Sequence, residues 1–72
     1  KNEDTKYAIV IEALRRDIQR GLLVPGTRLP GQNVLGKRYG VSPITSKRAL
    51  AELERQGYIE RRPRSGSYVR AT

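Results

Sequence analysis

Four residues, Gly40-Val41-Ser42-Pro43, constrain the fold of this 72-residue chain more than any other stretch. Gly closes a helical run, because it alone enters the left-handed region at no steric cost. Ser is a preferred helix N-cap, since its hydroxyl accepts a backbone N–H that the first turn leaves unpaired. Pro suits the first helical position, where its missing N–H costs nothing. A helix therefore ends at about residue 39 and another begins at Pro43. Two helices joined by a connection this short have helix-turn-helix spacing.

The remaining elements fall around this turn. Tyr7, Val10 or Ile11, Leu14 and Ile18 recur at three and four residues, the period of an amphipathic helix, which gives helix 1 over about 6–20 with Gly21 as its stop. Residues 1–5, KNEDT, are polar and read as a frayed tail. Pro25 and Pro30 interrupt LLVPGTRLPG, where Pro25-Gly26 reads as a tight turn and Thr27-Arg28-Leu29 as a short extended piece. Helix 2 covers about 31–39, with Val34, Leu35 and Tyr39 as its apolar contacts. Helix 3 runs from Pro43 to about Gln56, and Gly57 ends it. Residues 58–61 and 67–70 favour strand, and Arg62-Pro63-Arg64-Ser65-Gly66 joins them as a loop of turn formers. The expected fold is mainly α with a small β-hairpin (α+β): three helices plus a hairpin, in one domain over 6–70.

Charge indicates what such a unit touches. Residues 1–27 carry five basic and four acidic side chains, a net +1; residues 28–72 carry ten and three, a net +7. A concentration of this kind points to a polyanion, most often nucleic acid. The chain has neither Cys nor His, which excludes disulfides, thiolate chemistry, the commonest general base and the usual zinc ligands. Ser42, Ser65 and Ser67 lack a partner base, and Glu52 and Glu54 sit two apart on a helix, pointing to different faces. An enzyme is not expected, and nothing calls for a cofactor or a metal. No apolar run approaches the ~20 residues of a membrane span, so no membrane partner is expected.

On helix 3, Ser46, Ala49, Leu50 and Leu53 share a face suited to the core. Ile44, Lys47, Arg48 and Ala51 share the other. A helix that presents cations near its N-terminus suits the major groove, where Lys47 can donate to guanine acceptors or to phosphate and Thr45 offers a hydroxyl or a methyl. Ile44 reads equally as a contact for a thymine methyl and as a half-buried helix-edge residue. Arg61, Arg62 and Arg64 cluster on the hairpin, where arginines suit phosphate contact or a narrow minor groove, and Gly66 permits a close backbone approach. Free N–H groups at a helix start also hold phosphate, so Ser42 and the pair Gln32 and Asn33 are either phosphate contacts or simply a cap and solvent-facing amides.

At this point the chain resembles the DNA-binding domain of the GntR family of bacterial transcription regulators, a winged helix-turn-helix. The resemblance spans residues 7 to 69 and rests on Tyr7…Leu14…Ile18, GLLVPGTRLP, LGKRYGVSPITSKRALAELERQG and RSGSYV. It implies sequence-specific binding of double-stranded DNA, with helix 3 (about 43–56) in the major groove and the wing (about 61–68) on the minor groove or the backbone. The DNA-contacting set it implies is Arg28, Gln32, Asn33, Ser42, Pro43, Ile44, Thr45, Lys47, Arg48, Arg62, Arg64, Ser65 and Gly66. It further implies a cytoplasmic repressor or, less often, an activator. Such a regulator binds a palindromic operator as a homodimer through a C-terminal domain that takes a small-molecule effector. Residues 71–72 would then begin the linker to that domain, and a chain opening on Lys1 reads as a piece of a longer protein.

Several positions depart from the family pattern. Gly31-Gln32-Asn33 stands where the family has Ser-Glu-Arg, which weakens a cap and shortens a contact. Gly36 stands for Ala, which is expected to loosen helix 2 by up to ~1 kcal/mol. Pro43 has no donor where many members carry Arg. Lys47 replaces Arg, so a bidentate contact becomes a point charge. Ser46 replaces a β-branched core residue, implying a small packing defect. In the wing, Arg64 replaces the first Gly and Ser67 replaces Thr. A protein-interaction module of the same fold is the alternative; it would show an apolar or acidic patch in place of the basic face.

Overall fold

The computed structural model describes residues 2–70, with side chains from residue 5 onward. Three helices precede an antiparallel hairpin: α1 (Asn2–Gln19), α2 (Gln32–Tyr39), α3 (Pro43–Arg55), β1 (Ile59–Arg62) and β2 (Gly66–Val69). Helices α1 and α2 and strand β1 all pack on α3. This is the winged helix-turn-helix expected from the sequence.

Helix α1 begins at Asn2, earlier than the start near residue 6 that the periodicity gave. No Gly or Pro lies between residue 2 and residue 20, and polarity alone does not stop a helix. Residues 71–72, the expected linker, lie outside the described residues.

The α2–α3 junction forms as its caps dictate. Gly40 adopts φ 68°, and its N–H donates to the Gly36 carbonyl. The Thr45 N–H donates to Ser42 Oγ at 3.1 Å, with Pro43 at the first position of α3. Gly31 provides no side-chain cap for α2, as the missing Ser implied. Gly36 itself corrects an expectation. A Cβ built there would lie 2.8 Å from the Val41 carbonyl oxygen, a backbone atom. The missing methyl lets the turn close onto α2 and is not merely a helix-weakening absence.

The core joins Val10, Ile11 and Leu14 of α1, Leu29, Leu35 and Val41, then Ala49, Leu50 and Leu53 of α3, and Ile59 and Val69 of the hairpin. Val10 and Ile11, between which the periodicity did not choose, are both buried. Val34 is 50% exposed and is no core contact; Leu35 and Tyr39, four apart, take the inner face of α2. Ser46 is fully buried, and its hydroxyl donates to the Ser42 carbonyl at 3.4 Å. At the far end of α3, Arg55 donates from Nε to Glu52 at 2.9 Å and Gln56 donates to the same carboxylate at 2.7 Å. The Arg55 hydrogen bonds, followed by that of Gln56, bring the Glu52 carboxyl down to about 2.

Strands β1 and β2 pair in the register Ile59↔Val69 through Arg62↔Gly66, so the connection shortens to Pro63-Arg64-Ser65. Ser65 N–H donates to the Arg62 carbonyl at 3.1 Å, and Arg64 holds φ 68°. Pro followed by a positive-φ residue is the pattern of a type II turn. The extended piece at Thr27–Leu29 pairs with the free edge of β2. Leu29 N–H donates to the Ser67 carbonyl at 2.8 Å and Val69 N–H to the Thr27 carbonyl at 2.9 Å. An isolated bridge joins Arg28 to Tyr68.

Candidate nucleic-acid interface

The two basic elements face one another across an open groove of about 640 Å³. The segment from Arg28 to Gln32 forms one wall. Lys47, Leu50 and Glu54 of α3 and residues 61–67 of the wing complete the lining, the wing being hydrogen-bonded to the Arg28 segment along one edge. Five cations line it, namely Arg28, Lys47, Arg61, Arg62 and Arg64, against the single carboxylate of Glu54. A groove with this imbalance and low-dielectric walls concentrates positive potential on whatever enters it.

Local structure sets each cation's position. Lys47 lies one turn into α3, on its solvent side, because Ser46, Ala49 and Leu50 occupy the core side. Arg62 and Glu60, two apart on β1, share the outer face of the wing. Arg62 stacks over the Tyr68 ring at 4.3 Å and donates from Nε to Glu60 at 2.5 Å. Arg61 alternates to the other face, the one that carries buried Ile59, and so turns toward α3. The Arg28 guanidinium lies across the base of the wing, where a Cβ on Gly66 would stand 3.0 Å from its Nε. Arg64 projects from the turn between the strands.

Of the residues expected from sequence, Arg28, Gln32, Lys47, Arg62, Arg64, Ser65 and Gly66 share this groove. Asn33 and Pro43 line a smaller recess with Gly36, Lys37 and Val41. Ile44 stands clear of the core at 70% exposure. Arg48 leans away from the groove, its guanidinium 5.1 Å from the centre of the Tyr7 ring on α1.

Two expectations change. Thr45 is only 5% exposed, and its Oγ1 accepts from the Ser42 hydroxyl at 2.9 Å. It stands four residues before Ala49 and so falls on the inner face of α3. Ser42 is exposed, but its hydroxyl is committed to the cap and to Thr45. Among the charged residues outside the expected set, Arg61 and Glu54 join the groove. Strand alternation from Ile59 marks Arg61 as inward-facing, and Glu54 follows Leu50 by one helical turn. Among the described residues there is no group of His, Cys, Asp and Glu able to hold a metal ion, and no helix long and apolar enough to cross a membrane.

Comparison with known proteins matches residues 6–69 to the model of the bacterial regulatory proteins, gntR family. The chain belongs to this family. Its members are DNA-binding transcription regulators rather than enzymes. This gntR-type chain is 38% identical over 64 residues to the mannosyl-D-glycerate transport/metabolism system repressor MngR of Escherichia coli (strain K12), a match that covers 89% of the chain and 27% of MngR. Among solved structures, the AraR DBD in complex with operator ORX1 superposes with a TM-score of 0.84 at 33% identity, covering 89% of this chain and 77% of that one. A putative GntR-family transcriptional regulator superposes at 0.83 with 41% identity, covering 92% of this chain and 26% of the other. The chain thus spans about a quarter of the length of MngR.

Proposed function

We propose that this gntR-type domain is the sequence-reading head of a cytoplasmic, metabolite-responsive bacterial transcription regulator acting as a repressor. In this reading α3 enters the major groove, and the wing rests on the minor groove or the backbone. With its side chains a helix measures roughly 10–12 Å across, matching a major groove about 12 Å wide. The full-length protein binds a palindromic operator as a homodimer, held by a C-terminal domain that takes a small-molecule effector. The observation that carries the reading is the convergence of Arg28, Lys47, Arg61 and Arg64 on one groove flanked by the exposed side of α3, with Arg62 beside Glu60 on the outer face of the wing. The operator complex of the AraR DBD supports it, as does the repressor role in the name of MngR.

Neutralising Lys47 and Arg64 together tests it. With about five phosphate contacts per head, log affinity should fall against log salt with a slope of about −4.5. Each lost contact should flatten that slope by ~1. The double variant Lys47→Ala, Arg64→Ala should bind duplex DNA more weakly and with a slope nearer about −2.7 by the same arithmetic, about 0.9 per contact. Unchanged affinity and slope would remove the groove from the binding surface. Failure of the unaltered domain to bind any duplex would favour a protein-interaction role.

A further inference from the structure

At the leading edge of α3 every polar side chain is turned inward or already occupied. The Ser42 hydroxyl donates to Thr45 Oγ1 and accepts the Thr45 N–H. Thr45 is buried, as is Ser46, whose hydroxyl turns back to the Ser42 carbonyl. Pro43 is exposed and has no backbone N–H. What remains on the outer surface is Ile44, the most exposed of the large apolar side chains at 70%. It stands one turn before Lys47 on the same face, with Ala51 one turn beyond Lys47. Ala51 keeps that face low, so the helix can approach a surface closely, and Lys47 and the wing arginines make that surface an anionic one.

We infer that Ile44 reads the 5-methyl group of a pyrimidine in the major groove, making this head selective for a methylated pyrimidine at one base pair of its site. The inference rests on the DNA-binding reading given above. The only base-edge feature in the major groove that an aliphatic side chain recognises favourably is the methyl of thymine, or the same methyl on 5-methylcytosine. A hydrogen-bonding edge placed against Ile44 would be left unpaired and desolvated, so the selection works against the other bases as well as for the methyl.

The test begins with a duplex recovered by selection from a randomised pool. It is remade with deoxyuridine at each thymine in turn, which deletes one methyl and nothing else. Removing the methyl beneath Ile44 should weaken wild-type binding about four-fold, the worth of one buried methyl. The same change should cost Ile44→Ala under ~1.5-fold, and Ile44→Val should keep about half of the wild-type sensitivity on a logarithmic scale. At that position a 5-methylcytosine·guanine pair should bind more tightly than cytosine·guanine if the methyl is read whatever ring carries it; equal binding would assign the contact to thymine alone. Circular dichroism of Ile44→Ala should match wild type, because the side chain is outside the core. If no deoxyuridine position separates wild type from Ile44→Ala, the inference is overturned while DNA binding stands. If no duplex is bound at all, both fall together.

Discussion

Replacing Arg64 with Gly should separate the stability of the wing from its affinity for DNA. Arg64 is the one non-glycine residue with positive φ among the described residues, at 68°. An L-residue in that region costs roughly 1–2 kcal/mol relative to Gly. Gly in turn loses about 0.5–1 kcal/mol more backbone entropy on folding. The difference leaves Arg64→Gly between neutral and about 1.5 kcal/mol more stable. For a domain of this size that is a melting temperature unchanged or raised by up to roughly 6–12 °C. The same substitution removes a cation from the groove, so the salt slope should flatten by ~1 and affinity near 150 mM salt should fall about ten-fold. Thermal melts followed by circular dichroism, and fluorescence anisotropy on a selected duplex at several salt concentrations, measure both sides. Arg64→Asn is the control: it tolerates the left-handed conformation and lacks the charge, so it should match Gly in binding. A variant destabilised by more than ~1 kcal/mol, or one with an unchanged salt slope, would refute the reasoning, because the turn would then need Arg for its fold.

Gly36→Val should destabilise the domain by more than ~2 kcal/mol, since a β-branched side chain meets the Val41 backbone and the turn cannot open without parting α2 from α3; chemical denaturation measures this. Ser42→Ala removes the α3 cap and should cost about 1 kcal/mol in the same assay. Glu52 is held down at about 2 by Arg55 and then Gln56, so its contribution is fully present above the ordinary carboxylate range near 4.5 and is lost as pH falls toward 2. Glu52→Gln should therefore lower stability modestly in the neutral region and flatten the acid limb between those values, so that variant and wild type converge near pH 2, as acid titrations followed by circular dichroism would show.

The parts of the fold legible in the sequence are those set by neighbours along the chain. Ser42-Pro43 and Gly40 determine their own backbone, so the helix-turn-helix junction reads correctly to the residue. The wing's register does not read as well, because its turn places Arg in a conformation that Arg rarely signals. The strands therefore begin and end one residue from their expected positions. Thr45 shows a different limit. Its closeness to the cationic start of α3 suggested a base contact, whereas its angular position beside Ala49 buries it. Local spacing gives the faces of Arg61 and Glu54, but that both line one groove depends on how the hairpin packs on α3, which no local spacing announces. Gly36 reads as a weak point in a helix until the approaching Val41 carbonyl shows what the missing methyl makes room for.

The bonding of β2 on both its edges has a mechanical consequence. Strand β2 is held by β1 on one side and by Thr27–Leu29 on the other. The latter segment leads directly into α2, and α2 is locked to α3 through Gly36 and Gly40. On the proposed reading, α3 and the wing are thus two jaws of one caliper, with the span between them set by these hydrogen bonds. Such a tool measures the duplex as much as it contacts it. Base steps that narrow or widen the grooves between the jaws will change affinity at positions that no side chain touches.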